Sequence, residues 1–267
     1  MDLGIVKSAV LGIVEGLTEF LPVSSTGHLI LASDLLRFRG DYVATFTVFI
    51  QLGAIMAVVA ACGNRLKRLV SIRWGAGLNG LRGLFLLALT TLPAAVLGLL
   101  LRTVIKERLF HALNVAAGLG VGGLWILLAE RFMPGPTKNG LDALTWRDAL
   151  WIGVLQCLAL WPGMSRSLST IMGGMLTGLD RRAATEYSFL AAVPVMVLAC
   201  SFDLVASLPS LDRSLVPSFA VGFVVSFLAA WAAVRFLISF VSRHTLVPFG
   251  WYRVVMALVV LAHAAAS

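Results

Sequence analysis

Continuous apolar runs of about 20 residues recur along this chain, and each is long enough to cross a bilayer as one helix. The chain is 59% hydrophobic and only 13% charged, whereas soluble domains are nearer one half apolar and roughly one quarter charged. The runs are continuous rather than alternating, which disfavours a membrane β-barrel. The sequence therefore predicts an all-α polytopic membrane protein with a single integral membrane domain over residues 1–267.

The net charge of +8 does not indicate a nucleic-acid partner. Most of the basic residues fall between the apolar runs, where lysine and arginine set membrane topology and meet lipid headgroups. The three cysteines are isolated in apolar sequence, so we expect small core residues rather than disulfides or metal ligands. The predicted surroundings are membrane lipid.

The first apolar run, about residues 4–35, contains an unusually polar stretch. Pro22 interrupts the run, because proline lacks the backbone donor of a continuing helix, and Ser24 and Ser25 are suitable N-caps for a second short helix. Two half-length helices around a break predict a re-entrant hairpin, which is tolerated at membrane depth only beside protein or a wet cavity. Ionisable groups in such a run indicate a functional site. Its polar residues are Glu15, Glu19, Ser24, Ser25, Thr26 and His28.

A second broken segment, residues 148–179, is interrupted at Pro162-Gly163 and follows a linker at 133–147. The sequence G-I-V-E-G-L-T-E-F-L-P aligns weakly with G-V-L-Q-C-L-A-L-W-P, which with a one-residue gap places Pro22 on Pro162, and the spans that follow correspond at an offset of about 141 residues. Each half is predicted to contain one hairpin and three spans, with repeat 1 at about 4–133 and repeat 2 at about 148–266. The predicted spans are 42–61, 84–101, 113–132, 185–205, 216–240 and 248–266.

The number of spans between the hairpins determines their relative orientation. A re-entrant hairpin returns to its own side, and three intervening spans are an odd number, so the second hairpin must enter from the opposite face. This predicts an inverted-topology repeat whose two breaks meet around a cavity near the midplane. The loops opposite the N-terminus carry more lysine and arginine, which predicts that they are cytoplasmic and that both termini lie outside.

The first hairpin carries groups suited to phosphate chemistry. Glu15 and Glu19 are one helical turn apart, and two such carboxylates require a proton or a cation such as Mg²⁺ or Ca²⁺. The residues at the helix start, Ser24 to Thr26, suit an anion, and His28 suits proton transfer. The structural alternatives are hydrogen bonds between helices for the carboxylates and His28, and capping alone for the hydroxyls.

The second hairpin reads P-G-M-S-R-S-L-S-T from Pro162 to Thr170. Arg166 offers a planar fork of donors for phosphate, with Ser165, Ser167 and Thr170 nearby; the alternative is an arginine that snorkels to the interface. Together the residues of the two hairpins predict a site that binds a phosphorylated group on a lipid and cleaves it. Either a serine hydroxyl or a metal-bound water would attack.

These two stretches resemble the E-x-x-x-E, S-S-T-G-H and P-G-x-S-R-S-x-x-T motifs of bacterial undecaprenyl-diphosphate phosphatases of the BacA type, without departure. The resemblance implies a hydrolase of the cell inner membrane that removes the terminal phosphate of a polyprenyl diphosphate. It also implies recycling of the lipid carrier for peptidoglycan, a divalent metal, bacitracin resistance and a site open to the periplasm.

The resemblance also implies a role for each motif residue. Ser25 would be the nucleophile and His28 its proton partner, while Glu15 and Glu19 would serve as metal ligands or in acid–base catalysis. Arg166 would hold the diphosphate, helped by Ser24, Thr26, Ser165, Ser167 and Thr170.

The main rival interpretation is a transporter or lipid flippase that uses the same inverted-repeat site. It leaves the combination of serine and histidine without an evident purpose. The oligomeric state stays open, with a homodimer among the alternatives.

Overall fold

A computed structural model of the chain describes residues 4–40, 42–71, 75, 77–207 and 213–266. Within these ranges the chain is helical, and short π or 3-10 turns lie at Ile105–Leu109, Leu141–Ala143, Cys157–Leu160 and Arg213–Leu215. The α-helices are α1 Ile5–Glu19, α2 Ser25–Leu35, α3 Val43–Ala61, α4 Gly63–Leu69, α5 Gly80–Leu100, α6 Arg102–Val104, α7 Ala112–Phe132, α8 Trp146–Gln156, α9 Arg166–Leu176, α10 Arg181–Ser207, α11 Val216–Val241 and α12 Val247–Ala266.

Six of the described helices are long and apolar enough to cross a membrane: α3, α5, α7, α10, α11 and α12. They coincide with the six predicted spans, so the prediction of a polytopic all-α membrane protein is confirmed. The first residues of α5 and α10 lie four positions earlier than predicted. In α10 the cause is Asp180, whose carboxylate accepts a hydrogen bond from the Ala183 amide at 2.9 Å and so caps the helix start.

Both predicted breaks are present. Pro22 lies in the turn between α1 and α2, and Pro162 lies between the 3-10 turn after α8 and the start of α9. The 15 residues of α1 and the 11 residues of α2 correspond to roughly 22 Å and 16 Å of helix, short of the roughly 30 Å hydrocarbon core. Pro93 and Pro194, by contrast, lie inside continuous helices.

The hairpins pack against long spans of the other half of the chain. Helix α1 lies along α11, and α8 lies along α5. The α1–α11 approach is close at Gly16, where a Cβ atom would meet the Ser226 carbonyl and the Ala229 side chain. The largest apolar cluster includes residues of α8, α9 and α10 around Tyr187. The Tyr187 hydroxyl lies 2.6 Å from Thr90 Oγ1 and donates to the Leu86 carbonyl.

The element boundaries of the two broken segments correspond along the chain. Helices α8 and α9 begin 141 residues after α1 and α2 respectively, and α9 also ends 141 residues after α2. The residue before each second helix, Ser24 and Ser165, has a positive φ of 70° and 74°. The offset predicted for the following spans therefore extends without a gap through the hairpins, and it aligns Pro22 with Gly163 rather than with Pro162.

Candidate active site

The two hairpin breaks meet around one cavity of about 180 Å³. This confirms the expectation that the two breaks approach each other around a cavity. Six of the predicted site residues line it: Glu19, Ser24, Ser25, Thr26, Ser165 and Arg166. Its remaining lining residues are Gln51, Ala159, Trp161, Pro162 and Gly163.

Arg166 connects the two hairpins. Its Nη2 donates to Glu19 Oε1 at 3.2 Å, and the side chains of Arg166 and Glu19 are only 12% and 7% exposed. The guanidinium also lies 5.3 Å from the centre of the Phe20 ring and donates to the Ser188 carbonyl at 3.3 Å. A buried arginine that is paired with a carboxylate and lines a cavity does not snorkel to the interface, so that alternative does not apply.

Glu19 also accepts a hydrogen bond from Ser25. The Ser25 hydroxyl donates to Glu19 Oε2 at 2.5 Å, while the other oxygen of the carboxylate faces Arg166. One carboxylate thus contacts the candidate nucleophile and the candidate phosphate-binding cation at once. A carboxylate at this distance from a hydroxyl is placed to accept its proton.

His28 bonds to other partners than the predicted one. Its Nδ1 lies 2.7 Å from the Ser24 carbonyl oxygen and its Nε2 lies 2.6 Å from the Tyr252 hydroxyl, and its ring stacks on the Tyr252 ring. The hydroxyl of Ser25 points to Glu19 instead. The expected direct pairing of Ser25 with His28 is therefore replaced by a Ser25–Glu19 pair and a His28–Tyr252 pair.

Ser24 and Ser165 occupy the positions before α2 and α9 in the left-handed backbone region. Ser24 makes no side-chain cap bond, so the capping predicted for this residue is absent. The side-chain cap is found instead at Ser165, which accepts a hydrogen bond from the Leu168 amide. A positive φ in a non-glycine residue costs on the order of 1 kcal/mol or more and is frequent at functional sites. Because both serines line the cavity, two helix N-termini converge on it, which favours an anion.

Ser167 and Thr170 lie behind the cavity wall. Both are fully buried. The Ser167 hydroxyl donates to the Leu21 carbonyl at 2.8 Å, and the Thr170 hydroxyl donates to the Arg166 carbonyl at 2.9 Å and lies 2.6 Å from Ser188 Oγ. In this arrangement these two hydroxyls hold the hairpin and do not face the cavity.

The carboxylates fit a hard divalent cation that takes further ligands from a substrate. Glu15 is 1% exposed and its Oε2 has no hydrogen-bond partner, while Glu19, one turn later, lines the cavity. Among the described residues no group of three or more histidine, cysteine, aspartate or glutamate side chains could hold a metal ion. Mg²⁺ commonly binds one or two carboxylates together with substrate phosphates and water, and this pair provides the two carboxylates.

Comparison with known proteins assigns the chain to a family. A family model described as bacitracin resistance protein BacA matches residues 8–259. The chain belongs to the BacA family. Its curated relatives include the undecaprenyl-diphosphatase of Maridesulfovibrio salexigens, which is 53% identical over 254 residues, or 95% of this chain and 96% of that protein. The proteins of the same name from Nitratidesulfovibrio vulgaris strain DP4 and Desulfovibrio desulfuricans are 53% and 52% identical, each over at least 94% of this chain and 95% of its own length.

The cavity of this BacA-family chain also involves residues outside the predicted motifs. Gln51 of α3 lines the cavity and accepts a hydrogen bond from the Cys200 thiol at 3.3 Å. The Trp161 indole donates to the Asn114 carbonyl at 2.9 Å. Tyr252 contacts His28, and the next residue, Arg253, donates to carbonyls at both breaks. The sequence signal that could have identified Gln51 and Arg253 is a polar or charged residue inside an apolar span. The same signal identified Glu15.

Proposed function

We propose that this BacA-family chain is an integral membrane phosphatase that hydrolyses undecaprenyl diphosphate to undecaprenyl phosphate and inorganic phosphate, returning the lipid carrier to peptidoglycan synthesis. Relatives named undecaprenyl-diphosphatase, 53% identical over nearly the whole chain, support the substrate. The single observation that carries the proposal is the Glu19 carboxylate, which contacts Ser25 and Arg166 at one cavity.

The proposed reaction begins at the Ser25 hydroxyl. Its oxygen attacks the terminal phosphorus, its proton passes to Glu19 Oε2, and the bond from that phosphorus to the bridging oxygen breaks, so that undecaprenyl phosphate leaves. Water then cleaves the phosphoserine and releases inorganic phosphate, which restores the hydroxyl. The 2.5 Å contact between Ser25 and Glu19 supports this route. Direct attack by water, with Glu19 as the proton acceptor, stays open as the alternative.

Diphosphate binding is assigned to Arg166 and the two helix starts. The Arg166 side chain lines the cavity, and the planar guanidinium fork suits phosphate oxygens. Ser24, Thr26 and Ser165 line the same cavity and are proposed to orient the diphosphate. A Mg²⁺ or Ca²⁺ ion held by Glu15 and Glu19 would neutralise charge on the diphosphate. Phosphoryl transfer depends chiefly on such positioning and charge neutralisation.

The two halves are proposed to form an inverted-topology repeat of about 4–133 and 148–266 within one membrane domain. The 141-residue offset of the hairpin helices supports the repeat, as does the shared backbone conformation of Ser24 and Ser165. The packing of α1 on α11 has its counterpart in that of α8 on α5. Such repeats bind substrates where their broken helices meet.

The site is proposed to open toward the periplasm, on the side where α1 begins. Two ion pairs support this topology, because each joins residues that it places on the same side of the membrane. On the proposed N-terminal side, Arg102 after α5 pairs with Asp203 of α10 at 2.7 Å. On the opposite side, Arg65 after α3 pairs with Glu186 at 3.8 Å. Trp161, which lines the cavity, contacts Asn114, about 3 Å along α7 from its first residue. The cavity is therefore nearer the N-terminal side of the membrane. The loops on the opposite side carry more lysine and arginine, which indicates that the N-terminal side is outside.

Phosphate release from purified protein in detergent tests the proposal. With undecaprenyl diphosphate the wild-type chain should release one phosphate per lipid, and Ser25→Ala and Arg166→Ala should lose most of this activity. A flippase that uses the same cavity would move the lipid in reconstituted vesicles without releasing phosphate. Movement without release by the wild-type protein would establish the rival function and refute this one.

A further inference from the structure

Arg253 of α12 is fully buried and binds four main-chain carbonyls. Its Nη1 donates to the Pro22 carbonyl at 3.1 Å. Its Nη2 lies 2.8 Å from the Gly163 oxygen and 3.1 Å from those of Gly118 and Met164. One side chain therefore contacts the turn of the first hairpin, the turn of the second hairpin and α7.

The polypeptide at these turns needs such a donor. A break in a helix leaves carbonyls without intrahelical partners, and in a membrane interior each unpaired group costs several kcal/mol. A guanidinium provides five N–H donors in a rigid fork, so it can serve acceptors from several segments at once. Space for it depends on Gly122, because a Cβ atom there would overlap the Arg253 guanidinium.

The two turns that Arg253 binds lie close in sequence to Glu19 and Arg166. Pro22 follows Glu19 by three residues, and Gly163 precedes Arg166 by three residues. Gly163 also lines the cavity, so the Arg253 guanidinium lies directly behind the cavity wall. Any shift of one turn against the other changes the 3.2 Å contact between Glu19 and Arg166.

We propose that Arg253 is a positioning residue. By binding the carbonyls of both hairpin turns, it fixes the position of Glu19 relative to Arg166. It acts through Glu19 and Arg166 and does not touch the substrate. The inference rests on the proposed hydrolysis for its kinetic consequence, while its structural consequence, the ordering of both turns, is independent of activity. Misplacement of catalytic groups by about 1 Å costs on the order of 10²-fold in rate.

Arg253→Lys is the informative variant because it keeps the positive charge and loses the fork. A single ammonium cannot reach four acceptors in three segments, so we expect kcat for phosphate release to fall on the order of 10²-fold with KM little changed. Arg235→Lys is the matched control, since Arg235 lies on α11 over the Trp231 ring at 4.2 Å, is exposed and should keep wild-type kinetics. Wild-type kcat in Arg253→Lys would overturn the proposal.

A second measurement separates positioning from a general loss of folded protein. In an Arg166→Lys background the Glu19 contact is already altered, so adding Arg253→Lys should cost much less than it does alone. If each substitution only reduces the amount of folded protein, the fold-loss of kcat in the double variant should equal the product of the two single fold-losses. That result would refute the positioning role.

Hydrogen exchange of the purified variants gives a readout that needs no activity. Amides at 23–25 and 163–165 should exchange faster in Arg253→Lys, while those in the middle of α5 stay as in the wild type. Unchanged exchange at both turns would contradict the inference. If neither wild type nor Arg235→Lys releases phosphate, the proposed function is wrong, and the exchange data still decide the role of Arg253.

Discussion

Glu19 and Arg166 lie 147 residues apart in the chain, yet their side chains meet at 3.2 Å inside the protein. The pair joins a carboxylate of the first hairpin to the cation of the second, so neither hairpin forms the site alone. Removing one member of a buried pair leaves the other charge uncompensated, which is more costly than losing an exposed ion pair.

Glu19→Gln should abolish most turnover while the protein still folds. The amide keeps the size of the carboxylate, but it cannot take a proton from Ser25 or neutralise Arg166, and general-base catalysis typically contributes about 10²–10⁴-fold. Phosphate release in detergent measures the loss. Glu107→Gln, at an exposed glutamate, is the control and should match wild type. Near-normal turnover in Glu19→Gln would remove Glu19 from the mechanism.

Ser25→Ala decides between the two routes of attack. If the hydroxyl is the nucleophile, the variant should lose turnover by several orders of magnitude and form no phosphoserine. Acid quenching with lipid labelled on its terminal phosphate should trap labelled protein from wild type and none from Ser25→Ala. Ser242→Ala, at an exposed hydroxyl that donates to Ile238, should behave as wild type. Substantial turnover in Ser25→Ala would favour water as the nucleophile.

Tyr252→Phe tests whether His28 takes part through its partner on α12. The variant removes the hydroxyl 2.6 Å from His28 Nε2 and keeps the stacked ring, so we expect a moderate loss of kcat, about tenfold, corresponding to roughly 1.4 kcal/mol. His28→Ala should lose most turnover. Tyr42→Phe removes a hydroxyl bonded to the Arg39 carbonyl and is the matched control. Full activity in both His28→Ala and Tyr252→Phe would leave the pair without a catalytic role.

Gly16→Ala should destabilise the packing of α1 on α11. The added Cβ would meet the Ser226 carbonyl, and overpacking of a tight contact typically costs about 1–3 kcal/mol. Thermal unfolding in detergent measures the loss. Gly63→Ala adds a Cβ with nothing within 4 Å and should leave the midpoint nearly unchanged. Equal midpoints for the two variants would contradict the close approach seen at Gly16.

The positions of the breaks and spans could be predicted because their causes are local. Pro22 is followed by the N-cap candidates Ser24 and Ser25, and Pro162 is followed by a glycine, so both were predicted to interrupt their segments, whereas Pro93 and Pro194 lack such neighbours and lie inside continuous helices. Apolar runs of membrane length form spans. The partner of Ser25 could not be predicted in this way. Sequence spacing indicates which residues share a helix face, but the positive φ of Ser24 sets the direction in which the first turn of α2 points.

The burial of Ser167 and Thr170 and the role of Arg253 were missed for a different reason. A hydroxyl beside Arg166 in sequence suggests a ligand contact, yet the helix turns Ser167 toward Leu21 and Thr170 toward Ser188. Arg253 carries no motif around it, and its partners are carbonyls from three distant segments. Such acceptors have no sequence signature.

The dependence of both hairpins on Arg253 has a consequence for biogenesis. The ribosome synthesises α12 after both hairpins. The carbonyls of the two turns therefore have no Arg253 donor until α12 has been inserted into the membrane. Folding of the candidate active site is then a late event, and a chain stalled before Val247 would hold both broken segments without the Arg253 donors.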